Sequence, residues 1–351
     1  MEWAIRAYRS GDERELANLF ERVFGRLITE DHWRWKLKQL PTPVENVWLA
    51  VHEDKPIFQY AGIPLRVRLP SGEARVMVSV DTMTAPEFQR QGLLSQVGRW
   101  TYDAWREGGV AFVIGLPNER WGSRAAALGW QELFPLQWLV RPLRPEALIS
   151  RRLRSAVSAP GFLRHSPLGV LWSGFWNLSL PQDPAVQVRQ VLQASEEFDR
   201  LWQNCQSEFP ISNVRDSSWV HWRYLAPPEL HYGVLLAERA REPVGYAAYR
   251  LEEQSGRQVG SIAEVFAARA DISAQGTLIR CVLAKLYAAG AEQAVTLAIP
   301  GTPLWRTLRR AGFFPRAIFS VQIVPLDPGL PIEALRDPLN WGLAGGDFDV
   351  I

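Results

Sequence analysis

Cysteine is scarce in this chain of 351 residues, which contains only Cys205 and Cys281. Two lone thiols are typical of a reducing compartment, so we expect no disulfide. No cluster of His, Cys and Asp has metal-ligand spacing, and we therefore expect no metal site. The chain also lacks a Gly-x-Ser-x-Gly nucleophile elbow, which removes the usual signature of one large class of serine hydrolases.

Charge of one sign is not in excess either. The 39 Lys and Arg residues face 37 Asp and Glu residues, which gives a formal net charge of +2. This balance gives no electrostatic case for a nucleic-acid or membrane-surface partner. No uncharged apolar run reaches the roughly 18 residues of a membrane span, and the first residues do not resemble a signal peptide. We therefore expect a cytoplasmic protein without membrane insertion.

The most informative stretch is residues 78–97, which reads as a strand, a polar turn and a helix. Its first residues alternate in the way of a strand, and Pro86 ends that strand because proline cannot donate to a β-ladder. A helix is predicted from Gly92 to Glu107. The first N–H groups of a helix have no internal partner and attract anions. The turn is therefore a candidate phosphate site, with Arg90 adding charge beside it.

The residues Gln89-Arg90-Gln91-Gly92-Leu93-Leu94 resemble the Gln/Arg-x-x-Gly-x-Gly/Ala motif of the GNAT acyltransferases. In that family the motif holds the pyrophosphate of acetyl-CoA. Leu94 stands where Gly or Ala is usual, as in proteins of the enhanced-intracellular-survival type. The order of the following elements, up to Leu128-Gly129-Trp130, also resembles the family, and the resemblance covers about residues 3–143.

The resemblance implies an acetyl-CoA co-substrate and a set of residues that bind it. The backbone of two strand residues would pair with the pantetheine arm, the turn would hold the pyrophosphate, and an asparagine after the next strand would orient the arm. These predicted residues are Met83, Thr84, Gln89, Arg90, Gln91, Gly92, Leu93, Leu94, Ser95 and Asn118.

The catalytic groups are less well defined by the sequence. Many family members carry a Tyr acid four residues before the Gly of the Leu-Gly-aromatic ending, but Ala125 occupies that position here. Asp81 is the candidate base, because it lies on the central strand just before the cofactor segment; the alternative is a hydrogen bond to a neighbouring turn. Four other residues are weaker candidates, for which a structural or solvated role is favoured. They are Glu87, which could pair with Arg90, and His32, His221 and Glu264.

The second half of the chain repeats features of the first. Trp35 corresponds to Trp222, and Leu116-Pro117 to Ile299-Pro300. The phosphate signature is not repeated, since Ser273 stands three residues before Gly276. We therefore predict an α/β (α+β) protein of tandem duplicated GNAT folds, each a mixed, mostly antiparallel sheet flanked by helices, of which only the first binds CoA.

Four segments follow from this interpretation. They are a CoA-binding GNAT domain at 1–143, a helical linker at 144–184, a degenerate GNAT-like domain at 185–326 and a tail at 327–351 that Trp341 should anchor. The linker could alternatively form an amphipathic surface helix, but linker helices packed on the domains are favoured.

The resemblance predicts an N-acetyltransferase that uses acetyl-CoA to modify a primary amine of a small molecule, such as an amino sugar, amino acid or aminoglycoside-like compound. One alternative is a non-catalytic CoA-binding or sensing module, which the missing Tyr favours. Another is aminoacyl transfer from a charged tRNA on a duplicated GNAT scaffold, which the intact CoA turn disfavours.

Overall fold

The computed structural model describes residues 2–349 except 118–120, 122–125, 146–173, 175 and 177–178. The predicted residues Asn118 and Ala125, and most of the predicted linker, lie outside the described residues. Within the described ranges, no helix has the length and apolar character needed to cross a membrane.

The first half contains the strand predicted before Pro86, the turn after it and the helix predicted from Gly92 to Glu107. A tight turn joins β3 to β4, and Pro86 follows the end of β4, as expected from its missing donor. The described elements are β1 (Ala4–Ala7), α1 (Glu13–Phe24), α2 (Glu30–Leu37), β2 (Val47–His52), β3 (Lys55–Leu69), β4 (Gly72–Thr84), α3 (Leu93–Glu107), β5 (Val110–Gly115) and β6 (Gln131–Pro142).

The second half repeats this order of elements. Its main elements are, in order, a strand, two helices, three antiparallel strands, a long helix, a parallel strand, a helix and a last strand. The elements are β7 (Val186–Val191), α4 (Glu196–Cys205), β8 (Ser212–Asn213), α5 (Ser217–Val220), β9 (Tyr232–Arg239), β10 (Glu242–Gln254), β11 (Arg257–Ala267), α6 (Ile272–Ala288), β12 (Gln293–Ala298), α7 (Pro303–Arg310) and β13 (Phe314–Pro325), with a short helix α8 (Ile332–Arg336) in the tail. The mixed, mostly antiparallel sheet with flanking helices confirms the predicted fold class.

The last strands of the two halves are exchanged. Twelve strands follow one another across a single sheet in the order β1-β2-β3-β4-β5-β13-β6-β12-β11-β10-β9-β7, and β8 pairs with β3. Strand β13 of the second half thus pairs with β5 of the first, and β6 pairs with β12. The sequence predicts both strands but not this exchange, because period-two alternation shows which residues form a strand and not which edge that strand covers.

Two tryptophans that correspond in the repeat meet between the halves. The rings of Trp35 and Trp222 stack with centroids 5.4 Å apart. The indole N–H of Trp35 donates to the backbone oxygen of Trp222 at 2.9 Å, and that of Trp222 donates to the backbone oxygen of Trp35 at 3.2 Å. Reciprocal contacts of this kind are those of an approximate twofold axis. The two tryptophans therefore make matching contacts from the two halves.

The tail packs along the sheet and crosses from the second half to the first. The indole of Trp341 is 3% exposed and donates to the backbone oxygen of Leu335. Further along, Asp347 forms a fully buried ion pair with Arg215 at 2.7 Å. The backbone oxygen of Gly346 accepts from Arg223 at 2.8 Å. These contacts place Asp349, two residues beyond Asp347, next to strand β4 of the first half.

Candidate active site

A bulge in β4 shapes the centre of the first half. Gln59 of β3 pairs with Met83, and Ala61 pairs with Val80, so two residues of β4 stand opposite Tyr60 alone. One of the two is Asp81, whose φ of 45° lies in the left-handed region. Aspartate tolerates this conformation better than most residues. A bulge re-aims the side chains around it, and here it presents Asp81 towards α2.

Strands β4 and β5 separate just before this bulge. Their parallel pairing ends at Val78 and Ile114. Beyond that point the freed edge of β4 borders a cavity of about 210 Å³. Its lining residues are Phe24, Val78, Ser79, Val80, Asp81, Thr82, Gly115, Leu116, Pro117, Trp121, Trp130, Phe348 and Asp349. We call this space the acyl cavity. The Thr82 hydroxyl is buried without a hydrogen-bond partner in the described part of the chain.

The predicted phosphate turn opens helix α3 beside this edge. Arg90 and Gly92 both have positive φ values, 63° and 80°. The N–H groups of Ser95 and Gln96 donate to the backbone oxygen of Gly92 at 3.1 Å, which begins the helix. No side chain of the described residues caps this end. The earliest N–H groups of α3 are therefore available to an anion.

The other predicted turn residues have different surroundings. The side-chain amides of Gln89 and Gln91 donate to the backbone oxygens of Thr84 and Glu87, at 3.4 and 3.2 Å, and so brace the turn. Leu93 is buried, while Leu94 and Ser95 are half-buried on the first turn of the helix. The role of each residue in cofactor binding stays a prediction.

A buried lysine that sequence reasoning did not select joins the candidate base to the tail. The Lys36 ammonium is 3% exposed and donates to Asp81 Oδ2 at 2.6 Å, and it also forms an ion pair with Asp349. Asp81 is 6% exposed at its side chain. The two carboxylates line the acyl cavity, and Lys36 lies behind them. No local signal in the sequence links them, because 45 and 313 residues separate Lys36 from its two partners.

Burial and charge work against each other in this cluster. Burial acts to lower the pKa of Lys36, but the two carboxylates outweigh it and raise that pKa, so the ammonium stays charged. Burial raises the pKa of Asp81 even though Lys36 opposes the shift. Burial also acts to raise the pKa of Asp349, but there the attraction of Lys36 prevails and lowers it. A carboxyl with a raised pKa beside an open cavity is a reasonable proton acceptor.

The weaker sequence candidates fall into structural or peripheral places. Glu87 pairs with Arg22 at 2.6 Å on the surface, and not with Arg90 as the sequence suggested. Glu264 is fully buried between Arg215 and two tyrosine hydroxyls. His221 is exposed. His32 lines a separate cavity next to Lys36, and burial lowers its pKa.

A tyrosine pair behind the acyl cavity is poorly suited to replace the missing acid. The hydroxyls of Tyr60 and Tyr102 lie 2.5 Å apart, and Trp130 donates to Tyr102 at 2.9 Å. Ser79, at the cavity wall, donates to Tyr60 at 3.4 Å. Burial raises the pKa of Tyr60 to about 12. A donor this weakly acidic gives up its proton reluctantly.

The corresponding helix end in the second half is blocked. Asp271 caps α6 by accepting from the N–H of Ala274 at 3.0 Å, and it forms an ion pair with Arg239. Gly276 lies inside the helix, where an added Cβ would be 2.6 Å from the backbone oxygen of Pro181. A carboxylate at the helix start repels a phosphate. That this half lacks a CoA seat stays a prediction.

Comparison with known proteins places this site in a family. Residues 4–131 match the sequence model of the acetyltransferase (GNAT) domain. This part of the chain is therefore similar to a GNAT domain, and the resemblance inferred from the turn is confirmed. The closer likeness to the enhanced-intracellular-survival type stays a prediction. No curated protein matches the chain significantly in sequence.

Solved structures share the whole architecture. A GCN5-related N-acetyltransferase from Anabaena variabilis superposes with a TM-score of 0.65 at 12% identity, over 93% of this chain and 73% of that one. A conserved protein of unknown function from Enterococcus faecalis, described as a probable N-acyltransferase, gives 0.64 at 12% identity over 92% and 72%. A GCN5-related N-acetyltransferase from Kribbella flavida gives 0.61 at 13% identity over 93% and 71%. At these identities the likeness shows the fold.

Proposed function

We propose that the chain is an acetyl-CoA-dependent N-acetyltransferase that acts on a primary amine of a small molecule. The observation that carries the proposal is the separation of β4 from β5 directly beside the uncapped start of α3. One element offers an unpaired strand edge for an extended arm, and the other offers N–H groups for phosphates. Such a pair of features suits CoA.

The described residues fit this co-substrate. The N–H groups at the start of α3 would hold the pyrophosphate, with Arg90 beside them, and the freed edge of β4 from Thr82 to Thr84 would pair with the pantetheine arm. When bound, acetyl-CoA supplies an activated acetyl group as a thioester. Thr82 itself lines the acyl cavity beside this edge.

The two carboxylates that line the acyl cavity are the groups that would deprotonate the amine. A protonated amine must lose a proton before it can attack. Asp81 lines this cavity and has a raised pKa. Asp349 forms an ion pair with the same Lys36 ammonium. We assign Asp81 as the base and Lys36 as a positioning residue that holds both carboxylates. A thiolate leaving group, whose thiol has a pKa of about 8.5, can take its proton from water.

A second candidate function is a CoA-binding module without turnover. It is favoured by one observation, the ion pair of Asp81 with Lys36, since a carboxylate already paired in a buried cluster can serve structure alone. This module would bind acetyl-CoA and acetylate no amine. Activity separates the two candidates.

The test measures CoA release from acetyl-CoA with a panel of primary amines, for the wild type and for Gly92→Glu. The glutamate places bulk and negative charge at the phosphate seat, where like charges cost several kcal/mol. We expect kcat/KM to fall at least 100-fold.

The matched control is Gly256→Glu, which carries the same backbone strain. Gly256 has a φ of 70° and an added Cβ there meets nothing within 4 Å, but it lies in the β10–β11 turn of the second half. This variant should keep wild-type kcat/KM. Acetyl-CoA binding without turnover on any amine would favour the module instead.

A further inference from the structure

A second cavity lies on the other side of Asp349, between the two halves. Its volume is about 180 Å³. The lining combines both signs of charge and little apolar surface. The residues are Phe20, Arg26, Leu27, Ile28, His32, Lys36, Arg223, Glu229, Leu230, Arg250 and Asp349. We call it the acceptor cavity, because it shares Asp349 with the acyl cavity and thus adjoins the place where an amine would be deprotonated.

Two arginines of the second half converge in this cavity. The guanidinium groups of Arg223 and Arg250 each lie 5.5 Å from the ring centroid of Tyr232. Arg223 donates to the backbone oxygens of Gly346 and Phe348 at 2.8 and 3.3 Å and to the Tyr232 hydroxyl at 3.1 Å, among its contacts. Carbonyl oxygens orient a guanidinium without cancelling its charge. Arg223 therefore brings a fixed positive charge to the cavity wall.

Arg250 retains an unused donor. Its Nη2 pairs with Glu252 at 3.0 Å, and the side chain is 15% exposed. Its Nε is buried and has no hydrogen-bond partner in the described ranges. A buried guanidinium N–H without an acceptor is costly, since each unmet hydrogen bond of this kind loses about 1–3 kcal/mol. The guanidinium as a whole lines the acceptor cavity, so an anion bound there would be attracted by its charge.

The cavity has a basic part and an acidic part. Arg26, exposed just after α1, adds a third guanidinium to the lining, and its charge acts to lower the pKa of both Asp81 and Asp349. Asp349 marks the boundary with the acyl cavity, and the other acidic residue, Glu229, pairs with His32 at 3.3 Å. The cations of the lining outnumber these two carboxylates, which disfavours a ligand that carries only positive charges. A ligand that carried both an amine and an anionic group could place the anion against the arginines and the amine against Asp349.

We infer that the acceptor carries an anionic group, a carboxylate or a phosphate, in addition to the amine that is acetylated. The inference rests on the proposed function, because it assigns the acceptor of that same site. The anion is bound by Arg250 and Arg26 with the support of Arg223, and the amine points towards Asp349 and Asp81. This arrangement selects amino acids or amino sugar phosphates over polycationic amines such as aminoglycosides.

The test compares amines that differ only in the anion. The pairs are alanine against alaninamide and glucosamine 6-phosphate against glucosamine. For at least one pair we expect the charged member to have a kcat/KM at least tenfold higher. The pair that shows the preference identifies the anion as carboxylate or phosphate. Equal rates for the two members of both pairs would overturn the inference while leaving the proposed function intact.

Substitutions of single arginines test which residue causes the preference for a charged acceptor. Arg250→Gln should lower the ratio of kcat/KM between the charged and the neutral amine about tenfold, mainly through KM. Arg250→Lys should restore part of this ratio, because the charge returns without the Nε donor. The control is Arg189→Gln, an exposed arginine of β7, which should keep the wild-type ratio. An unchanged ratio in Arg250→Gln would contradict the assignment.

A binding measurement keeps the inference testable without turnover. In calorimetry on the full chain saturated with CoA, the charged member of the preferred pair should bind more tightly than the neutral one, and Arg250→Gln should remove the difference. If acetylation of every amine fails while this difference is found, the proposed function fails and the inferred anion site stands. Equal binding of the members of both pairs would refute the anion site.

Discussion

Replacing Arg215 with methionine is expected to lower the free energy of unfolding by about 3–5 kcal/mol. The Arg215 side chain is 1% exposed and forms ion pairs with Glu264 and Asp347, which are equally buried. Removing the cation leaves two carboxylates in the core. Burial already raises the pKa of Asp347, so without Arg215 its ionised form becomes still less favourable.

Urea unfolding at pH 7 measures this loss. The matched control is Arg189→Met, since Arg189 also forms two ion pairs, with Glu197 and Glu238, but its side chain is 45% exposed. Surface pairs contribute about 0–1 kcal/mol, so the control should lose little stability. Equal losses for the two variants would show that burial of the Arg215 cluster adds nothing.

Replacing Lys36 with methionine is expected to lower kcat at pH 7 by two to three orders of magnitude, the range of a general base. Lys36 holds Asp81 and Asp349 together, and its ammonium favours their ionised forms. Without it, like charge and burial both raise the pKa of Asp81 further. Deprotonation of the amine needs ionised Asp81, so in this variant kcat should be low at neutral pH and should recover as the pH rises.

The pH profile of kcat separates catalysis from stability. In Lys36→Met the acidic limb of the profile should move to higher pH, which a purely structural lysine would not cause. Lys55→Met, at the exposed start of β3, should keep the wild-type profile. A fall in stability with an unmoved profile would mean that Asp81 is not the base.

Local patterns predicted the framework of the first half well. The alternation of residues 78–84, the position of Pro86 and the glycine at the start of α3 each act over a few residues, and the structure has β4, the turn and α3 in that order. The difference between the two helix starts also has a local signal. Ser273 stands where the motif has Gln or Arg, and Asp271 caps the helix.

Long-range features could not be predicted in this way. The exchange of β6 and β13 depends on which sheet edge each strand covers, and both choices satisfy the same alternation. The cluster at the active site joins α2, β4 and the tail, and only the folded chain brings Lys36 to Asp349. The sequence marked Asp81 because it is next to a recognisable motif, whereas Lys36 has no such neighbour.

The central claim is that the first half alone holds acetyl-CoA, and calorimetry of acetyl-CoA on the full chain tests it most directly. We expect micromolar binding with one site per chain, lost in Gly92→Glu and kept in Gly256→Glu. Two sites would contradict the blocked helix end at Asp271. No binding to the wild type would mean that the turn before α3 does not hold the cofactor and that the proposed activity is wrong.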